Sequence, residues 1–82
     1  MKESFTFPDD FIKTPHSVIP GAVQWLATIP SDDGIHQISV VGGGFGLYGD
    51  GISTFEMWDI DHADEPQGYL TKEQINEYLS IL

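Results

Sequence analysis

The stretch that decides the fold is Ala22-Val23-Gln24-Trp25-Leu26-Ala27-Thr28-Ile29, with Pro30-Ser31-Asp32-Asp33-Gly34 and the apolar run from Ile35 to Val41 behind it. Val23, Trp25, Ala27 and Ile29 share one side of a period-two pattern, and Ala22, Gln24, Leu26 and Thr28 share the other, which reads as a strand. A helix opened by Pro20 at its first position is the competing reading, since Val23, Leu26 and Ala27 suit it. The strand is favoured because residues 30–34 have the chemistry of a hairpin turn into a second strand over Ile35 to Val41.

Downstream, six of the nine glycines fall between Gly42 and Gly51, ending in the turn-forming pair Asp50-Gly51. The chain is expected to reverse there and to continue as a strand over Ile52 to Ile60. Phe55 and Met57 lie on one face of it, with Ile52, Thr54, Glu56, Trp58 and Ile60 on the other. Thr71-Lys72-Glu73-Gln74 is a capping box that starts a helix from about Lys72 to Ile81. Ile75, Tyr78, Leu79 and Leu82 form its apolar stripe, while Glu73, Asn76, Glu77 and Ser80 are expected to face outward.

Upstream, Phe5-Thr6-Phe7 suggests a short edge strand, and Pro8-Asp9-Asp10 can open one helical turn. The expected fold is α+β: an antiparallel sheet of three or four strands with one C-terminal helix packed on a face, in a single domain spanning residues 1–82.

The chain has 82 residues and no cysteine, which excludes a disulfide framework, thiol chemistry and thiolate zinc sites. Its start lacks a secretory pattern and no apolar run nears the roughly 20 residues of a membrane span, so a cytoplasmic location is expected. Thirteen Asp and Glu oppose three Lys and no Arg, a formal net charge of −10. Direct binding to nucleic acid or to an anionic membrane is disfavoured, because phosphates need cationic partners. A basic protein is the expected partner, although so acidic a chain also gains solubility from its charge.

Gly44-Phe45-Gly46-Leu47-Tyr48-Gly49 matches GxGxxG, but a dinucleotide fingerprint must open a helix, whereas this motif runs into Asp50-Gly51 and a strand. The glycine-rich hairpin of protein kinases works with a lysine on the next strand, and no lysine stands between Lys13 and Lys72. A turn is the simpler reading.

The segment from Phe55 to Gln74 resembles an EF-hand calcium loop, with Asp59 and Asp61 at its start and Gly68 through Gln74 at its end. That resemblance implies a divergent EF-hand-like calcium-binding protein. The glycine due at the sixth loop position counted from Asp59 is Asp64, however, and counting from Gly68 puts Gln74 where a bidentate Glu is needed. His62 among Asp59, Asp61, Asp64 and Glu65 could give a weak divalent site, but an acidic turn is the simpler account. No metal ligand or cofactor is assigned. His16 and His36 have no partners at informative spacing, and no catalytic constellation is visible, so an enzyme is not expected.

What remains is the layout of charge. Asp50, Glu56, Asp59, Asp61, Asp64, Glu65, Glu73 and Glu77 place eight acids in residues 50–77, against Lys72 alone. A chain of this length should have a radius of gyration of about 12 Å and span roughly 30 Å. Duplex DNA of that length carries about 18 phosphates. In size, acidity and lack of catalytic residues the chain is similar to phage-encoded DNA mimics, including some anti-CRISPRs. That similarity implies an inhibitor occupying the nucleic-acid groove of a basic partner. The expected partner surface is these eight acids with Trp58, an aromatic anchor next to Glu56. A further apolar face carries Leu26, Val41, Ile52, Trp58 and Ile60. Either Phe5, Phe7 and Phe11 cover it, or it is an interface, for instance of a homodimer in a small structural or assembly protein.

Overall fold

The alternation at Val23 to Ile29 is the core-facing edge of a long strand in the computed structural model, which describes residues 5–16, 19–44 and 50–82. Among the described residues the chain runs β1 (Ile12–Pro15), β2 (Val23–Ser31), β3 (Gly34–Gly42), β4 (Phe55–Asp59), β5 (Gln67–Leu70) and α1 (Lys72–Ser80). The strands pair antiparallel in sequence order. The α+β class and the C-terminal helix match expectation, but the sheet has five strands rather than three or four.

Trp25, Ala27 and Ile29 from β2, Ile38 and Val40 from β3, and Phe55 and Met57 from β4 fill one face of the sheet. Ile75 and Leu79 of α1 complete that core with Phe7 and Phe11. Phe7 sits at its centre, edge-on to Phe11, Trp25 and Phe55 at centroid distances of 5.0–5.4 Å. These edge-to-face contacts set the electropositive ring edges against negative faces. The N-terminal segment therefore covers the same face as the helix and not the one bearing Leu26 and Trp58.

Four local expectations are corrected. Residues 5–7 are not a strand; Asp10 N–H bonds Thr6 O in a turn, and the edge strand lies at Ile12–Pro15 with every residue exposed. The strand expected from Ile52 begins only at Phe55. The Asp50 carboxylate accepts N–H bonds from Ile52, Ser53 and Thr54, and this local motif displaces ladder pairing. The segment expected as a simple turn into the helix contains β5, joined to β4 through a register shift. Asn76 does not face solvent alone: its amide accepts the Phe7 N–H and donates to Phe7 O, clamping the N-terminal segment to α1.

The capping box forms as expected, with Thr71 Oγ1 accepting from Gln74 N–H and Gln74 Oε1 accepting from Thr71 N–H. Gly51 adopts φ +75° where its backbone crowds Gly42, so close that a Cβ on Gly42 would lie 2.6 Å from Gly51 Cα. Of the GxGxxG motif, Gly44 belongs to the described residues and 45–49 fall outside them. The radius of gyration is 12.1 Å and the longest axis 39 Å. No helix of the described residues is long and apolar enough to cross a membrane.

The meander has two distinct ends. The β2–β3 and β4–β5 turns share one, and the described parts of the β3–β4 connection, residues 43–44 and 50–54, lie at the other, where Gly44 abuts Ile19 and Ala22. Because α1 follows β5, it starts at the glycine end and runs back across the core face, bringing Tyr78 to Asp59 at the far end of β4.

Candidate functional site

Two regions carry chemistry, and they meet at the end of the sheet opposite the glycines. The first is built on β3. His36 is 4% exposed, facing the core beside Ile29. Its Nδ1 lies 2.7 Å from Asp59 Oδ2 and its Nε2 lies 2.8 Å from Asp33 Oδ1. Carboxylate oxygens only accept, so both ring nitrogens act as donors and the imidazolium form is favoured. Burial opposes that charge, yet the bonds and charges of Asp59 and Asp33 outweigh it and raise the pKa above 6.5. The Ser31 hydroxyl and His36 together hold exposed Asp33 down at about 2. The Tyr78 hydroxyl donates to Asp59 Oδ2 at 2.5 Å, and burial followed by Asp59 pushes its own pKa up to about 12. Asp59 Oδ1 is buried without a partner among the described residues. The exposed ring of His62 stacks on His36, centroids 3.8 Å apart and planes 18° apart. Asp33, His36 and His62 can each offer one ligand atom, all within 4.8 Å of one another.

Sequence reasoning misses these roles of His36 and Asp33. The expectation that His36 lacks partners is corrected: they come from the preceding turn, from β4 and from the turn after it. The one signal along the chain is a histidine at a core position of an alternating strand, where a polar ring must find partners.

The second region is the outer face of the sheet, on which no described helix or strand packs, although Ser39 and Val41 at its middle are buried. Leu26 and Trp58 are 38% and 37% exposed there, and Ile12 on β1 pairs with Leu26. A groove of about 240 Å³ runs along it, lined by residues that include Gln24, Val41, Glu56, Trp58 and Ile60. The Trp58 indole N–H donates to Ala63 O at 3.0 Å, which fixes the ring against the acidic turn between β4 and β5.

The nine expected partner-facing residues do not form one surface. Asp61, Asp64 and Glu65 are exposed on the β4–β5 turn, next to Trp58 and at the same end as exposed Asp32 and Asp33. Glu56 lines the groove. Asp50 lies at the glycine end, committed to its own turn, where bonds from Thr54, Ile52 and Ser53 hold its pKa well below the usual carboxylate range. Glu73 sits in the first turn of α1, where its charge complements the helix dipole, and Glu77 is exposed further along the helix. Asp59 is 3% exposed and turned into the core. The EF-hand arrangement is likewise not formed: the element entering the loop is strand β4, and the residue at its first position faces His36 and Tyr78.

Comparison with protein-family models, with curated proteins and with solved structures finds no match to this chain.

Proposed function

We propose that this protein is a small acidic interaction module that binds a basic protein, with the uncovered sheet face and the adjoining acidic end as its contact surface. The observation that carries this reading is the fixed, part-exposed Trp58 at the junction of the two. Its indole is held by Ala63 O, it borders the groove, and Asp61, Asp64 and Glu65 stand on the same turn as Ala63. A rigid aromatic anchor ringed by charge is the chemistry of a binding hot spot. The partner is proposed to be basic because the chain has thirteen acids and no arginine, and to be of the nucleic-acid-binding kind because its own ligand would carry the same charge. On this reading the protein acts as an inhibitor, like a nucleic-acid mimic of the phage type, and performs no catalysis.

The test is affinity capture from extracts of the source cell at low and high salt, followed by displacement of the captured protein with a DNA or RNA oligonucleotide. Capture should weaken steeply with salt, should be lost in Trp58→Ala, and should be reversed by the oligonucleotide. Binding that is indifferent to salt and to Trp58 would reject the proposal. Binding that depends on both but resists the oligonucleotide would retain the basic partner and reject the mimicry.

A further inference from the structure

We propose that Asp33, His36 and His62 form a site for a divalent transition-metal ion of the zinc type, at the acidic end of the sheet. Three ligand atoms, one from each residue, already lie within 4.8 Å of one another. His36 is the fixed member. Its Nδ1 is tied at 2.7 Å to buried Asp59, which Tyr78 anchors in turn, and this leaves Nε2 directed at Asp33. A carboxylate behind one imidazole nitrogen is the usual support for a histidine that ligates metal through the other, because it sets the ring orientation and raises its basicity.

Access and charge agree with this. A cavity of about 180 Å³, lined by Ser31, Asp32, Asp33, His36, Ile81 and Leu82, opens beside the Asp33–His36 contact and leaves room for water in the remaining coordination positions. Asp32, Asp61, Asp64 and Glu65 are exposed at this end, while Lys13 of β1 lies over the Trp25 ring of β2 and Lys72 opens the helix at the glycine end. The C-terminus of α1, with no basic residue in its last turn, adds its negative dipole end. Two imidazoles with one carboxylate suit zinc and its neighbours, whereas calcium and magnesium require oxygen donors throughout.

The metal-free geometry differs from a ligated one in two defined ways. Parallel rings stacked 3.8 Å apart cannot both hold one ion in their planes, so His62 must swing out of the stack to bind, giving up the contact of its Nε2 with Ile35 O at 3.3 Å. Asp33 Oδ1 and His36 Nε2, now 2.8 Å apart, must separate to about 3.3 Å to sit on bonds of about 2.0–2.1 Å around a tetrahedral ion. Both movements belong to exposed side chains, and His36 stays in place. The ion replaces the proton on Nε2, so binding releases a proton to solvent.

The experiment is calorimetric titration of the purified chain with Zn²⁺, run in two buffers of different ionisation enthalpy to count protons, with Co²⁺ absorption to report coordination. Asp33→Asn and His62→Ala change exposed residues, so they avoid the unfolding that substitution of buried His36 would invite. The parent should bind one equivalent with proton release, and each variant should weaken binding by about tenfold or more. Neutralising the acidic turn with Asp61→Asn, Asp64→Asn and Glu65→Gln removes attraction but no ligand, and should weaken binding far less than either single variant. No binding at millimolar Zn²⁺, undiminished binding in both single variants, or Ca²⁺ and Mg²⁺ binding as tightly as Zn²⁺ would each overturn the site. So would a loss in the triple variant as large as theirs, which would locate the ion in the diffuse charge of the turn.

Discussion

Asp59 Oδ2 carries two partners, His36 Nδ1 and the Tyr78 hydroxyl, while Oδ1 remains buried without one among the described residues. Removing the carboxylate would leave the buried His36 ring with Asp33 alone and the Tyr78 hydroxyl without its acceptor, so Asp59→Ala should cost about 3–5 kcal/mol in urea unfolding. Tyr78→Phe deletes only one bond to a charged acceptor and should cost about 1.5–3 kcal/mol. Equal losses in the two variants would show that the His36 contact contributes nothing beyond the tyrosine. At the other end, Asp50 titrates far below its ordinary value of 3.8 in the folded chain because its turn bonds favour the charged form. A lowered folded-state pKa gives stability that is present above 3.8 and lost as pH falls below it. The melting temperature should therefore drop in that acid range, and Asp50→Asn, which does not titrate, should flatten the drop. An unchanged acid profile in Asp50→Asn would refute this. Neither role can be read along the chain: His36 and Asp59 are 23 residues apart, and the capture of three amides by Asp50 depends on where β4 starts.

At the scale of elements, β2 and α1 are legible in the sequence because each has a single buried side and burial imprints a period on the residues, whereas β3, buried on both faces from Ile38 to Gly42, is legible as an apolar run behind a turn. β1 and β5 are not, for a physical reason. β1 buries none of its four residues, and β5 carries Gly68 and a Tyr69 at φ +58°, so their place in the sheet rests on backbone pairing that leaves no hydrophobic pattern. The N-terminal aromatics read as apolar anchors from the sequence, but the face they cover is fixed by Asn76, whose amide grips both polar groups of the Phe7 backbone. Asn76→Ala leaves those two groups part-buried and unpaired and should cost about 1–3 kcal/mol. Hydrogen exchange at the Phe7 amide should accelerate in the same variant. If protection at Phe7 were unaffected, the clamp would not be what holds this segment.

For the whole molecule, the described helix and N-terminal segment cover one face of the sheet, no described helix or strand packs on the other, and the turns sort chemistry to two ends. The number of acids is plain from the sequence, but their grouping is not. It comes from the meander, which returns the turns holding Asp32 and Asp33 and holding Asp61, Asp64 and Glu65 to one end and sends Asp50 to the other. Close like charges repel with a range set by ionic strength. Raising salt from low to physiological levels should therefore stabilise the metal-free chain, and the acidic-turn triple variant should show less of this gain. A melting temperature insensitive to salt in both proteins would mean that this grouping carries no energetic penalty.

The two tryptophans stand in opposite surroundings, Trp25 at 8% exposure in the core and Trp58 at 37% on the open face. The molecule thus contains a pair of optical probes with separate duties. Quenching by acrylamide will sample Trp58 selectively in the native chain, and anything that settles on the open face should shield it and shift its emission to the blue. Trp25 will stay silent until the core itself opens.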